Sequence, residues 1–219
     1  TRLLTAGDPL ATVANVVYER LREDDGAART TDWIRTWLTN RERDRPFFLF
    51  CNYIEPHIPY DPPQAYAEQF LSPAAVEAAR ELRQAPRAFD VGAYDLTDRD
   101  WELLRGLYRG ELAYVDAQLA AVREALKAAD EWTETVVVVV GDHGENIGEY
   151  GFFGHQYNLH ETLLHVPLVI AGGPFQEGGQ REAYVQLLDL VPTLLETTGV
   201  SAPALAKQAQ GRSIHPESS

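Results

Sequence analysis

Runs of apolar residues mark four candidate strands along the chain. The valine run from Val136 to Val140 has no polar break, and such a β-branched run predicts a strand buried on both faces, as in parallel sheets covered by helices. Shorter runs predict three further strands: Phe47 to Phe50 continued through Asn52, Val166 to Ile170, and an edge strand at Tyr184 to Gln186.

Apolar residues at helical spacing fill the segments between these runs. The spacing predicts helices that start at Asp8-Pro9, at Thr31 and at Thr97, a short helix near His160 to Leu164, and a helix from Leu188 closed by Gly199. Residues 64–96 predict short helices with irregular connections, and 144–154 a glycine-rich loop without regular structure. Alternating strands and helices favour an α/β fold, a three-layer α/β/α sandwich with a mostly parallel sheet, in one domain over residues 1–219.

A proline-rich segment, Glu55 to Pro63, interrupts this alternation. Prolines remove backbone donors and fix φ, so the segment predicts an ordered loop leaving a strand end. His57 stands between Pro56 and Pro59. An imidazole held in this way suits a general acid or a contact to an anion, and a histidine that only closes a turn is the alternative.

Polar residues follow the valine run directly. Asp142 and His143 lie between two glycines, at the strand end where open α/β sheets bind ligands. A carboxylate and a neutral imidazole are ligands for a divalent cation, although a hydrogen-bonded turn explains them equally well. His155, in the glycine-rich loop, offers a positive charge to an oxyanion or is a plain surface residue. If the strands are parallel neighbours, His57 and these three residues share one sheet edge.

Charge and composition limit the partners and the environment that can be expected for this chain. The formal net charge of −14 argues against a nucleic-acid partner. With only two lysines, this acidic composition indicates adaptation to high salt or a GC-rich genome. The single cysteine, Cys51, is expected in the core, and Glu111 and Asp116 on the helix after Thr97 are expected to pack or be solvated rather than to catalyse. No apolar stretch is long enough for a membrane span and no signal-peptide pattern is present, so a soluble, cytoplasmic chain is expected.

Several of these motifs together resemble the sulfatase family of the alkaline phosphatase superfamily. The resemblance runs in order through Phe47 to Pro63 with its Pro-His-Ile-Pro, the helix with Asp116, the Gly-Asp-His-Gly after the valine run, and Gly154-His155. It continues through His165-Val-Pro-Leu-Val-Ile170, Asp189-Leu-Val-Pro-Thr-Leu-Leu195 and Gly211-Arg-Ser-Ile214.

The resemblance implies an alkaline-phosphatase-like fold and hydrolysis of small-molecule sulfate esters with a bound divalent cation, Ca²⁺ foremost, with Mn²⁺ and Mg²⁺ as alternatives. It implies that Asp142 and His143 are metal ligands and that His57 contacts the sulfuryl group and assists the leaving group. His155 stands where many members carry a lysine that contacts the sulfate. Since an imidazole is charged only when protonated, anion affinity should here depend on pH.

The family's nucleophile, a formylglycine made from Cys or Ser in Cys/Ser-x-Pro-x-Arg, has no counterpart here, and neither do its paired N-terminal aspartates. We therefore expect a C-terminal portion of a catalytic domain, inactive by itself. A phosphonate or phosphodiester hydrolase or a phosphoglycerol transferase of the same superfamily is one alternative. A non-catalytic split or degenerate domain is the other, and a homodimer covering an exposed apolar sheet edge would support it.

Overall fold

The computed structural model describes residues 24–176 and 178–216. Backbone contacts divide the chain into two compact units. The first unit contains the residues up to Ala125 together with Asn146–Gln156, and the second contains Leu126–Glu145 and the residues from Tyr157 onward. The helix predicted after Asp8-Pro9 lies outside the described residues.

Five helices belong wholly or mainly to the first unit. They are α1 (Ala27–Asn40), α2 (Gln64–Ala67), α3 (Pro73–Arg80), α4 (Pro86–Asp90) and α5 (Asp98–Ala128). The short helices α2 to α4 confirm the prediction for residues 64–96.

Helix α1 begins earlier than its sequence predicted. Thr31 does not cap it but lies buried inside it, within hydrogen-bond distance of the Tyr53 hydroxyl at 3.0 Å. The first backbone N–H groups are satisfied instead by carboxylates: Asp24 accepts from Ala28 at 2.9 Å and Glu55 accepts from Ala27 at 3.0 Å. These acceptors satisfy the donors that a helix start leaves without intrahelical partners, so the helix starts before Thr31.

Helix α5 starts where its sequence predicted. The Asp100 carboxylate accepts the backbone N–H of Thr97 at 2.8 Å, and the Thr97 hydroxyl accepts the Asp100 N–H at 3.3 Å. This reciprocal pair is a capping box. The pKa of Asp100 is lowered, first by the backbone N–H of Thr97 and next by the Thr97 hydroxyl, which both donate to the Asp100 carboxylate.

The core of the first unit lies between α5, the short helices and the Glu55 to Pro63 loop. Its buried apolar residues are Tyr60, Ala67, Val76, Ala79, Leu103, Leu104, Leu107, Ile147 and Phe153. Gly110 lets α5 approach closely, because a Cβ there would lie 2.8 Å from Pro62 Cγ. The proline-rich loop therefore packs directly on the helix.

A small hairpin replaces the irregular loop predicted for 144–154. Strands β2 (Asn146–Ile147) and β3 (Phe153–Gly154) pair antiparallel, with a 3₁₀ turn at Glu149–Gly151 between them. The side-chain amide of Asn146 also donates to the carbonyl of Gly154 at 3.1 Å. Polar side chains thus supply bonds that hydrophobic patterning does not reveal.

The second unit contains the strand predicted from the valine run. Strand β1 (Val137–Val140) pairs with β4 (Leu168–Ala171), and Val137 lies opposite Ala171 in an antiparallel register. The strands are as predicted, but the mostly parallel, three-layer sheet is not seen in residues 24–176 and 178–216, where both sheets are antiparallel pairs. Between β1 and β4 the chain forms the β2–β3 hairpin and the one-turn helix α6 (Glu161–Leu164), rather than the long crossover helix that usually joins parallel neighbours.

Three expectations about the strands were wrong. Residues 47–50 and 184–186 form no strand, since no strand in the described part of the chain pairs with them. Phe48 is 81% exposed and Tyr184 is 97% exposed. The valine strand is not buried on both faces either, because Val140 is exposed, and so is Val169, which pairs with Val139 across the ladder.

The chain ends in two helices, α7 (Leu190–Thr198) and α8 (Pro203–Gln208). Gly199 closes α7 with a φ of 65°, the left-handed conformation that glycine favours, as predicted. None of the helices among the described residues combines the length and the apolar character that crossing a membrane requires.

Candidate active site

His57 lies in the proline-rich loop from Glu55 to Pro63. The side chain of Glu111 on α5 holds this loop by accepting two of its backbone N–H groups. The N–H of His57 donates to Glu111 Oε2 at 2.9 Å, and the N–H of Asp61 donates to Glu111 Oε1 at 2.8 Å. Between them, the N–H of Tyr60 donates to Gln84 at 2.7 Å. Hydrogen bonds therefore fix the loop backbone at three of its N–H groups, whereas the His57 side chain is exposed.

Glu111, which was expected to pack or be solvated rather than to catalyse, is only 2% exposed. Burial raises its pKa to about 8, against the lowering effect of the N–H groups of Asp61 and His57. The carboxylates of Asp25 and Glu55 raise it further. The sequence did indicate that this position is buried, because Glu111 continues the helical spacing of Leu104, Leu107 and Tyr114, which are buried along the apolar face of α5.

His155 lies directly after β3, and its ring centroid is 6.2 Å from that of His57 with the planes tilted by 51°. Its hairpin is anchored to the helices of the first unit. Arg105 donates to the carbonyl of Ile147 at 2.6 Å, and the N–H of Phe153 donates to the Asp90 carboxylate at 3.1 Å. The structure therefore brings together two histidines that are far apart in sequence.

A shallow depression lies beside Gln156, the residue that follows His155 in the chain. It is lined by apolar residues of α4 and its flanks within 85–93, by Arg87, and by Gln156. All of its lining residues except Gln156 therefore belong to the segment 64–96.

Asp142 and His143 form a tight turn after β1 in the second unit. The turn is held at both ends, since the N–H of Gly141 donates to the carbonyl of Pro167 at 3.1 Å and that of Gly144 to Leu163 at 2.9 Å. A Cβ on Gly144 would lie 1.9 Å from the carbonyl oxygen of Thr162, so only glycine fits.

The donors in this turn have the chemistry that a divalent cation requires. The Asp142 side chain is 89% exposed, and its Oδ1 accepts the N–H of His143 at 2.9 Å. His143 Nδ1 lies 2.8 Å from the carbonyl oxygen of Gly144. A carbonyl oxygen only accepts, so Nδ1 carries the proton and Nε2 the lone pair, the usual arrangement of a histidine ligand.

These two residues fit part of a metal site. Within the described residues no group of three or more His, Cys, Asp or Glu side chains is arranged to hold a metal ion. Asp142 and His143 would therefore supply two of the ligands. That they share one pocket with His57 and His155 stays a prediction.

The match to known proteins covers most of the chain. The family model named Sulfatase matches residues 13–200. A "Sulfatase" of Formosa agariphila is 26% identical over 85% of this chain and 41% of its own length. The "Multifunctional alkaline phosphatase superfamily protein PehA" of Trinickia caryophylli is 28% identical over 85% of this chain and 40% of its own length.

A solved structure agrees with these relatives. "Phosphonate monoester hydrolase SpPMH from Silicibacter pomeroyi" superposes with a TM-score of 0.69 at 28% identity, over 89% of this chain and 41% of that one. The chain thus spans about two fifths of the length of the proteins it matches.

Proposed function

We propose that this chain, which belongs to the sulfatase family, forms the part of a sulfate-ester hydrolase that binds the anion and protonates the leaving group. The observation that carries the proposal is the pair of His57 and His155, with ring centroids 6.2 Å apart on two rigidly held loops. Because the family match spans residues from both compact units, we infer that they belong to one catalytic domain.

His57 would donate a proton to the departing oxygen of the ester. Its backbone is held by Glu111 and its side chain is exposed, so the ring is available to a ligand without movement of the loop backbone. His155, when protonated, would contact the sulfate oxygens. The apolar residues of 85–93 would then contact the organic part of the ester.

Asp142 and His143 would contribute two ligands to a divalent cation, with Ca²⁺ as the first candidate. Such a cation supplies Lewis-acid stabilisation of the charge on the ester oxygens. The contribution of this chain is the turn between Gly141 and Gly144, which fixes the carboxylate and orients the imidazole through its Nδ1 proton.

The nucleophile would come from residues outside these 219. The proposal is supported by the length of the relatives, of which this chain matches about two fifths. We therefore expect no turnover from the 219-residue chain alone.

A second candidate is the hydrolysis of phosphonate monoesters. It is favoured by the match to the Silicibacter pomeroyi hydrolase, which is 28% identical to this chain. A phosphonate monoester carries a single negative charge, as a sulfate monoester does, and can have the same alcohol as its leaving group, so the two histidines would have the same roles.

One substrate comparison tests these proposals. The 219-residue chain and the full-length gene product are assayed with an aryl sulfate and an aryl phosphonate monoester, with and without Ca²⁺. We expect activity only in the full-length protein, higher on the sulfate. A preference for the phosphonate would support the second candidate, turnover by the 219-residue chain would refute an external nucleophile, and an inactive full-length protein would refute both hydrolase proposals.

A further inference from the structure

We propose that Glu111 is a positioning residue, which sets the place of His57 by accepting the backbone N–H groups at both ends of the loop that carries it. This inference rests on the proposed role of His57 in the reaction. Glu111 itself touches no reacting atom, because its two carboxylate oxygens are occupied by the N–H groups of residues 57 and 61.

The geometry of these two bonds is specific. Each oxygen accepts one N–H, at 2.9 Å from His57 and at 2.8 Å from Asp61. The two donors are four positions apart in the chain, with three residues between them, so a single side chain closes the loop at its base. In its ionised form, above a pKa of about 8, the Glu111 carboxylate offers two equivalent acceptor oxygens and no donor.

The close contact between helix and loop depends on the residue before Glu111. A Cβ at Gly110 would lie 2.8 Å from Pro62 Cγ and 3.1 Å from Ala67 Cα, so a larger residue would push α5 away. Pro62 directly follows Asp61, the second donor. Gly110 therefore permits the approach that Glu111 uses.

The charges around Glu111 make its hold on the loop dependent on pH. The carboxylates of Asp25 and Glu55 oppose its ionisation, and Asp61, whose N–H it accepts, pairs through its own carboxylate with Arg80 at 2.7 Å. When Glu111 is protonated, one oxygen becomes a hydroxyl and a weaker acceptor, so the loop is held less tightly. Since the pKa of Glu111 is raised to about 8, this change falls in the mildly alkaline range.

Variants of Glu111 in the full-length protein separate positioning from simple support of the fold. Glu111→Gln has the same shape but replaces one acceptor with an N–H₂ donor that faces an N–H donor. Glu111→Asp keeps both acceptors on a shorter side chain. Glu102→Gln is the matched control, since Glu102 is exposed on the same helix.

In assays above about pH 8, where Glu111 is ionised, we expect Glu111→Gln to lower kcat by roughly tenfold to a hundredfold, the cost of a small misplacement of a catalytic group, with a smaller effect on KM. Glu111→Asp should recover part of the loss, and Glu102→Gln should match the parent. If Glu111→Gln retains the parent kcat while His57→Ala does not, the inference fails and the proposed function stands. If His57→Ala also retains the parent kcat, the proposed function fails.

A second measurement does not depend on activity. In NMR spectra of the parent protein, the amide protons of His57 and Asp61 should change shift together as the pH passes through about 8. In Glu111→Gln this transition should be absent, whereas in Glu102→Gln it should remain. Amide shifts of residues 57 and 61 that do not respond to pH in the parent, or respond equally in Glu111→Gln, would overturn the inference.

Discussion

The burial of Glu111 has a consequence for stability at the scale of the single residue. Its pKa is raised from 4.5 to about 8, so the folded state holds a proton that the unfolded state releases between these values. The contribution of Glu111 to the free energy of unfolding is therefore fully present below about pH 4.5 and is lost as the pH rises through about 8.

We predict that Glu111→Gln removes this contribution. The free energy of unfolding of the parent should fall by an amount on the order of a few kcal/mol from pH 5 to pH 8.5 relative to Glu111→Gln, because only the parent must ionise a buried carboxyl group. Chemical denaturation at both pH values measures it. Equal pH dependence in the two proteins would show that Glu111 titrates as an exposed residue does.

His155 gives a second prediction at this scale. Replacing it by lysine, the residue that many sulfatases carry there, keeps a positive charge across the range in which imidazole loses its proton, roughly pH 5 to 8. We predict that inhibition of the full-length enzyme by inorganic sulfate weakens with rising pH in the parent and stays nearly constant in His155→Lys. His165→Gln, an exposed histidine of the second unit, is the control. The same pH dependence in the parent and in His155→Lys would remove His155 from the anion site.

At the scale of the element, helix α5 organises the first unit. Leu104 and Leu107 are fully buried on its inner face, and Trp101 packs edge-on against Phe153 of the hairpin with ring centroids 5.3 Å apart. The same helix carries Arg105 and Glu111, which hold the two histidine loops. Packing and site geometry thus depend on one helix.

We predict that Leu104→Ala destabilises the protein by about 2–5 kcal/mol, the usual cost of a cavity at a fully buried leucine. Leu112→Ala, on the same helix but 43% exposed, should cost far less. Urea unfolding of both variants provides the comparison. A similar loss in the two would mean that the inner face of α5 is not the core of this unit.

Features coded by local spacing were predicted well from the sequence. The start of α5 at Thr97, the valine strand and the closure of α7 by Gly199 each depend on neighbouring residues. The direction of the β1–β4 pairing was not predictable in this way, because it depends on how the chain returns over the intervening segment. The bonds from His57 and Asp61 to Glu111 join residues at least 50 positions apart, and no local pattern encodes them.

At the scale of the whole molecule, apolar side chains that a complete sheet would cover are exposed. Val169 is 57% exposed and Phe50 is 79% exposed, although both lie in segments whose composition suits a sheet interior. In each unit, exposed apolar side chains of this kind call for a covering element. Chain outside these 219 residues would cover them in the proposed hydrolase, whereas a second copy would cover them in a non-catalytic domain.

The proposed hydrolase function requires that His57 and His155 act on the same ester bond. The most direct test is the rate of aryl sulfate hydrolysis by the full-length protein carrying His57→Ala, compared with His165→Gln. The loss of a general acid should reduce kcat by about 10²–10⁴-fold, and the reduction should be smaller for an ester whose leaving group needs no proton. A His57→Ala enzyme as active as the control on both esters would contradict the account.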